Sequence, residues 1–197
     1  MPRKPRSLLD QGCYHLISRG NNHLFVFSLQ GGFKKFKEVL LESKRKFVWK
    51  LFHYCLMANH VHLLGQPEKG QDLPRLMHYV LLEYSRWYRQ QTGYEGYLWQ
   101  GRYKSFLIER ESYFLECGRY IERNPLRANL VSRVEDYPWS SYRYYAYGEP
   151  DPLTDEDPYY ESLGIDRAAR QHAYREFVKL EGPYDKVVDR SLVETYF

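Results

Sequence analysis

The spacing of apolar residues predicts four strands and three helices before residue 125. Short apolar runs typical of strands lie at 13–18, 47–57, 60–65 and 105–109. Apolar residues recur with the helical period over 33–46, 72–92 and 111–124. Asp72 is the predicted N-cap of the second helix and Gly93 its end, and the third helix is expected to stop before Pro125.

The order of these elements, β-α-β-β-α-β followed by a helix, predicts an α+β fold with a ferredoxin-like core. Such a core is a four-stranded antiparallel sheet with helices on one face, and its first and third strands are central. We assign residues 1–130 to the core together with the helix that follows it, and residues 131–197 to a C-terminal helical extension packed on the core. Within the extension, the pattern predicts a rigid aromatic turn, an acidic proline-rich loop or linker and one more helix, at 136–142, 149–158 and 167–180.

Two histidines separated by one valine stand in the third predicted strand. Side chains alternate between the faces of a strand, so His60 and His62 point to the same side and Val61 to the other. Two imidazoles side by side are suited to a divalent metal ion. The alternative is a pair of hydrogen-bonded polar residues on a half-exposed strand. If the strand is central, we expect the face that carries the histidines to be open to a ligand.

The helix predicted over 111–124 carries a tyrosine and an amide on one face. Its apolar stripe, expected to pack on the sheet, consists of Phe114, Cys117 and Ile121. Tyr120 and Asn124 are four residues apart and therefore share a face at the edge of this stripe. A tyrosine hydroxyl can act as a nucleophile, and a carboxamide oxygen can bind a hard metal ion. Tyr113 is a rival nucleophile, although its fourth neighbour is a cysteine and not an amide.

Composition points to a nucleic-acid surface without proving one. The chain has 197 residues, a net charge of +4 and 20 tyrosines, several of them next to arginines. Arginine combined with aromatic rings is typical of proteins that bind single strands, although tyrosine is also a common half-buried residue. No apolar run approaches the length of a membrane span, and no signal segment follows the basic N-terminus. Three scattered cysteines favour the cytoplasm.

Other polar residues have competing interpretations. His15 could be a further metal ligand, a phosphate contact or a core histidine, and the core or a supporting position beside the ligands is favoured. His53 is expected to pack within the hairpin of strands two and three. We assign no chemistry to Glu122.

Several short motifs, taken in order, resemble the HUH single-tyrosine transposases, and most closely their REP-associated tyrosine transposase branch. The His60-Val61-His62 strand is followed some sixty residues later by the segment 120–128, which begins with Tyr120 and contains Asn124-Pro125. Further matching segments are 14–21, 98–105 and 137–142. The resemblance covers about residues 10 to 147.

The resemblance implies cleavage and rejoining of single-stranded DNA at repeat hairpins. His60, His62 and Asn124 would hold a divalent metal, Mg or Mn, although relatives outside this branch often have glutamine where this chain has the shorter asparagine. Tyr120 would attack a backbone phosphorus and form a 5′-phosphotyrosine. The enzyme could be a monomer or a homodimer. The alternatives are a replication-initiator or relaxase-type HUH nickase and a non-catalytic module that binds single-stranded nucleic acid.

Eight side chains are candidate DNA contacts, and the C-terminal extension is expected to contribute to DNA binding. They are Arg19, Arg102, Lys104, Arg119, Arg123, Trp139, Tyr142 and Arg143. Arg119 and Arg123 could form a phosphate-guiding stripe beside Tyr120, or a face that is merely solvated. Arg102 and Lys104 lie in a glycine-punctuated loop, where binding residues are common. Trp139, with Tyr142 and Arg143, could stack on bases or pack the extension on the core.

Overall fold

The computed structural model describes residues 8–109, 112–182 and 184–185. Its longer elements are β1 (Tyr14–Arg19), α1 (Gly32–Lys46), β2 (Trp49–Met57), β3 (His60–Pro67), α2 (Leu73–Thr92), β4 (Lys104–Leu107), α3 (Ser112–Arg127), α4 (Tyr142–Tyr147) and α5 (Arg167–Lys179). The predicted order of strands and helices is confirmed. The pattern missed the short helix α4, and the predicted first residue of α3, Glu111, lies outside the described residues. No helix in the described ranges is long and apolar enough to cross a membrane.

The four strands form one antiparallel sheet in the order β2-β3-β1-β4. Strands β1 and β3 are therefore central, as predicted for a ferredoxin-like fold. In the β1–β3 pairing, His60 lies opposite Arg19 and His62 opposite Ile17. The register thus sets both histidines in the middle of the sheet.

Helices cover both faces of the sheet. Helices α1 and α2 pack with residues such as Leu16, Val61 and Leu63 on one face. On the opposite face α3 packs with Ile17 and Leu64, and its apolar stripe contacts the sheet as predicted. His62 belongs to this second face, and the expectation that the face would be open is wrong, because α3 covers it.

Helix α3 continues through Pro125 to Arg127, so the prediction that it stops before the proline is wrong. Proline has no N–H to donate to the carbonyl of Ile121. The Asn124 side chain compensates, since its Nδ2 donates to Ile121 O at 3.2 Å and to Tyr120 O at 2.9 Å. The Asn124 side chain, one turn after Tyr120, therefore supplies the donor that the Ile121 carbonyl lacks because of Pro125.

The start of α2 also differs from the prediction. A short 3-10 turn, Gly70–Asp72, leads into the helix, and the Asp72 side chain makes no capping hydrogen bond. Pro74 stands in the first turn, where its missing N–H is not needed. Gly93, at φ 65°, ends the helix as predicted.

The C-terminal extension runs along the outer edge of β2. The amide of Leu56 donates to the Trp139 carbonyl at 2.9 Å, and the amide of Asp155 donates to the Leu51 carbonyl at 2.8 Å. The Asp155 carboxylate in turn accepts from the Leu51 amide at 2.7 Å. The acidic segment 149–158 is thus fixed to the core and is not a linker. It also covers backbone groups that an exposed edge strand would offer to other chains.

A buried polar network joins β2, α3 and the extension. The register shift between Leu51 and His53 places the His53 ring on the α3 side of the sheet. There Nδ1 lies 2.9 Å from Glu122 Oε1 and Nε2 lies 2.9 Å from Asp157 Oδ2. All three side chains are fully or almost fully buried. The prediction that His53 only packs within the hairpin is therefore wrong.

This network predicts a specific pH dependence of stability. Burial disfavours the charge on His53, but the hydrogen bonds and negative charges of Asp157 and Glu122 outweigh it and raise the pKa from 6.5 to about 9. Since the folded-state pKa is raised, the stabilisation is complete below pH 6.5 and is lost as the pH rises through 9. The measurement is the difference in unfolding free energy between wild type and His53→Gln, obtained by urea unfolding. We expect this difference to be larger at pH 6.5 than at pH 9, by up to about 3 kcal/mol. An equal difference at the two pH values would contradict the charged state of His53.

Candidate metal and nucleophile centre

The two strand histidines each use one ring nitrogen within the protein. His60 Nδ1 lies 2.7 Å from the side-chain oxygen of Asn59, and His62 Nδ1 lies 2.9 Å from Nε2 of His15. The two rings of the pair are 4.9 Å apart. Nδ1 is therefore engaged in both residues, and Nε2 is the nitrogen left to bind a ligand. This common orientation suits a shared metal ion.

His15 supports His62 from the neighbouring strand. It is fully buried, and its Nδ1 lies 3.2 Å from the Tyr184 hydroxyl. If His62 offers a lone pair at Nε2, its Nδ1 proton is donated to His15, whose own proton then points to Tyr184. The structure thus favours the supporting position predicted for His15 beside the candidate ligands.

All three histidines of the centre are held in the neutral form. Burial, reinforced by the positive charge of Arg19, lowers the pKa of His60 to about 4. Burial lowers the pKa of His15 to about 3. Burial also lowers the pKa of His62, and the neighbouring His60, His15 and Arg127 add to the effect. Neutral imidazole is the form that binds metal ions, so no proton has to be displaced at neutral pH.

Tyr120 lies against the histidines from the α3 side. Its ring centroid is 5.9 Å from that of His62 and 5.8 Å from that of His15. The rival Tyr113 contacts Tyr184 instead, at 6.1 Å between ring centroids. The structure therefore brings Tyr120 into ring contact with His62 of the pair.

Tyr120 is also enclosed. The ring of Tyr184 lies 5.9 Å away on another side, and Tyr120 is only 2% exposed. DNA can reach its hydroxyl only if the side chains that cover it move.

Asn124, one helical turn after Tyr120, stays the predicted third ligand. Its Nδ2 is committed to two helix carbonyls, which leaves the side-chain oxygen as the atom suited to a hard metal ion. Within the described ranges no group of three or more His, Cys, Asp or Glu side chains could hold a metal. The carboxamide oxygen is a donor type suited to Mg or Mn, whereas the two imidazoles suit softer divalent ions and fit Mn better than Mg, and the set supplies no negative charge.

Sequence reasoning did not place Arg127 in the centre, because Pro125 was expected to end the helix. In the continued helix the Arg127 guanidinium lies 5.0 Å from the centroid of the Tyr120 ring. The residue is exposed and adds a positive charge next to the candidate nucleophile. The helical spacing of 120 and 127 would have revealed this proximity if the proline had been allowed inside the helix.

Arg119 and Arg123 do not form an exposed stripe. Arg119 is 3% exposed, pairs with Glu116 and stacks its guanidinium 4.5 Å from the Phe177 ring. Arg123 is 6% exposed and donates to the carbonyl of Leu180. The predicted stripe is covered by α5 and the residues that follow it, and the contact of these two arginines with DNA stays a prediction.

The aromatic turn of the extension is mostly structural. Tyr142 is 2% exposed and packs in the core of the extension, so its predicted contact with DNA is not supported by exposure and stays a prediction. Trp139 stacks on Phe33 of α1 with ring centroids 4.8 Å apart, and so packs the extension on the core. Arg143 donates through Nε and Nη2 to the carbonyl of Glu135, at 3.0 and 2.8 Å. Trp139 and Arg143 keep partly exposed surface, and their contact with DNA stays a prediction.

The remaining predicted DNA contacts lie near His60 or along the loop that precedes β4. Arg19 stands opposite His60 in the sheet. Lys104 begins β4, and burial together with the charge of Arg19 lowers its pKa to about 8. Arg102 is exposed in the loop. Arg102 is exposed to solvent, and Arg19 and Lys104 lie near His60 or near each other, as a role in DNA binding requires. That role stays a prediction.

A tyrosine hydroxyl can act as a nucleophile, and paired imidazoles can hold a metal ion that assists such a reaction. The family model described as "Transposase IS200 like" matches residues 9–124 of this chain. The chain belongs to this transposase family. The resemblance drawn from the sequence motifs is thereby confirmed, and the protein is an enzyme that acts on DNA.

Two relatives agree with this assignment. A Haemophilus influenzae protein that carries the provisional name of REP-associated tyrosine transposase is 24% identical over 144 residues, covering 64% of this chain and 82% of the relative. A solved structure of a REP-associated tyrosine transposase bound to a REP hairpin superposes with a TM-score of 0.64. The match covers 80% of this chain and 93% of the other at 17% identity, and it confirms the fold.

Proposed function

We propose that this transposase cleaves and rejoins single-stranded DNA at repeat hairpins through a 5′-phosphotyrosine on Tyr120. The contact between the rings of Tyr120 and His62 is the observation that carries the proposal. The binding of a REP hairpin by the structural relative supports the choice of substrate. The proposal includes a cytoplasmic location, where chromosomal DNA is available and the three cysteines can stay free thiols.

In the cleavage step the Tyr120 oxygen forms a bond to the phosphorus and loses its proton to solvent. The bond from phosphorus to the 3′-oxygen breaks, and that oxygen takes up a proton as a free 3′-hydroxyl. Rejoining reverses the exchange with the 3′-hydroxyl of another strand end. One ester replaces another at each step, so no external energy source is required.

Mg or Mn, held by His60, His62 and Asn124, would neutralise charge that develops on the phosphate. The protein's own part is to keep the two imidazoles neutral and oriented, through Asn59 and His15. Arg127 holds a positive charge over the Tyr120 ring, where it favours the approach of a phosphate.

The test is covalent attachment of the protein to a labelled hairpin with single-stranded tails, measured on denaturing gels. We expect an adduct with Mn or Mg and none in EDTA. His62→Ala should slow adduct formation by about 100-fold, because it removes a ligand and the bond to His15. His172→Ala, at an exposed position on α5, is the matched control and should behave as wild type. EDTA-insensitive binding with no adduct under any metal would instead identify a binding module.

A further inference from the structure

A cleft separates α2 from the loop that precedes β4. This α2 cleft has a volume of about 570 Å³, and its walls come from α2 and from residues 97–103. None of the candidate catalytic residues lines it. Its floor includes Leu98 and Trp99, which are buried side chains of the core. The volume is in the range of sites that enclose a small ligand or one nucleotide unit.

The loop that forms one wall is fixed on both sides of its exposed tip. Trp99 Nε1 donates to the Leu81 carbonyl of α2 at 3.1 Å, and Arg89 Nη2 donates to the Gly96 carbonyl at 3.1 Å. Between these anchors stands Tyr97, which is 82% exposed. An aromatic ring so exposed on an anchored loop offers a free face for stacking.

The charge of the cleft is positive. Its lining includes the guanidinium groups of Arg89 and Arg102 and, among the described residues that form it, no aspartate or glutamate. Both arginines are exposed. An apolar floor, an exposed aromatic ring and flanking guanidinium groups together match an unstacked base with its neighbouring phosphates.

The cleft is connected to the catalytic centre through the backbone. The amide of Gln100 donates to the Arg19 carbonyl at 2.8 Å, and Gly20 forms a β-bridge with Trp99. Arg19 lies opposite His60 in the sheet. The histidines face the α3 side of the sheet, so a strand that leaves them reaches the cleft by passing round the Arg19 end of β1 to the α2 side, where the loop carries Arg102.

We propose that the α2 cleft binds one unstacked base of the single strand that flanks the cleavage site, with Tyr97 stacked on the base and Arg102 paired with an adjacent phosphate. This site would fix the register of the strand relative to Tyr120. The proposal rests on the proposed action on single-stranded DNA, and it adds a place and a chemistry for base recognition away from the catalytic centre.

The experiment moves a single abasic position along the flank of a fluorescent hairpin DNA and measures Kd by anisotropy with the full chain in EDTA. We expect one position at which base removal weakens binding by about 10-fold in wild type. In Tyr97→Ala the same removal should have less than about a twofold effect, because the base has already lost its stacking partner. Tyr147→Ala, at an exposed tyrosine on α4, should keep the wild-type pattern.

A second variant tests the phosphate contact. Arg102→Ala should reduce the slope of log Kd against log salt by about 1, the change expected when one phosphate contact is lost. The melting temperature should not change. A flat abasic profile in wild type, or a sensitive position that persists in Tyr97→Ala, would overturn the proposal. The metal-dependent adduct is measured separately. If the adduct forms and the abasic profile is flat, the proposed function stands and the proposed role of the cleft fails. If one position depends on Tyr97 and no adduct forms, the role of the cleft stands and the proposed cleavage fails.

Discussion

Tyr120→Phe is expected to abolish covalent attachment to DNA, with a loss on the order of 10⁴-fold or more in the rate of adduct formation. The substitution removes one oxygen, the atom that would bond to phosphorus. The ring keeps its contacts with His15, His62 and Arg127, so the fold should be preserved. Denaturing gels with labelled hairpin DNA in Mn give the rate, and thermal melting checks that the variant folds.

Tyr113→Phe is the matched control for this result. Tyr113 lies two turns earlier on α3 and contacts Tyr184 rather than the histidines. Its variant should form the adduct within about threefold of the wild-type rate, as is usual for a residue outside the reacting group. An adduct that survives in Tyr120→Phe and disappears in Tyr113→Phe would reverse the assignment of the nucleophile.

Arg127 and Arg19 supply the positive charge of a centre whose candidate metal ligands are all neutral. The histidine pair is neutral, and the candidate third ligand is an amide. The positive charge near Tyr120 therefore comes from Arg127 on α3, with Arg19 on the neighbouring strand near His60. A bound metal ion would add to a field that these two side chains already provide.

Local spacing was sufficient to predict the strand and helix that carry the candidate centre. The period of two residues places His60 and His62 on one face, and the period of four places Tyr120 and Asn124 on one helix face. Tyr120 comes into ring contact with His62 because the apolar stripe of α3 packs on the face of the sheet that carries His62. These relations depend on residues near in sequence and on one packing contact.

The same rule failed for the arginines. Arg119 and Arg123 do share a helix face, as their spacing requires, but that face packs against Phe177 and Leu180. Periodicity indicates which residues lie together and does not indicate what covers them. The covering segment is more than fifty residues later in the chain, so no local pattern could reveal it.

The buried network was missed for a related physical reason. His53, Glu122 and Asp157 come from three distant segments, and each has an ordinary surface interpretation by itself. Only the register shift in β2 and the docking of the acidic segment bring them together. Glu122, two residues after the candidate nucleophile, therefore contributes to the position of α3.

Glu122→Ala is expected to lower the free energy of unfolding by about 3–5 kcal/mol and the melting temperature by on the order of 10 °C. The Glu122 carboxylate accepts from His53 Nδ1 at 2.9 Å, from Ser141 Oγ at 2.6 Å and from the Tyr174 hydroxyl at 2.7 Å. Its removal leaves these buried donors without that acceptor, in a site that water does not reach. Urea unfolding of wild type and variant gives the difference.

The control for this prediction is a glutamate in an exposed ion pair. Glu83 Oε1 lies 2.6 Å from Arg86 Nη1 on the surface of α2, so Glu83→Ala should change stability by less than about 0.5 kcal/mol. Similar losses in the two variants would contradict the importance of the buried network. Since Glu122 links α3 to both β2 and α5, its loss should also weaken the attachment of the C-terminal extension.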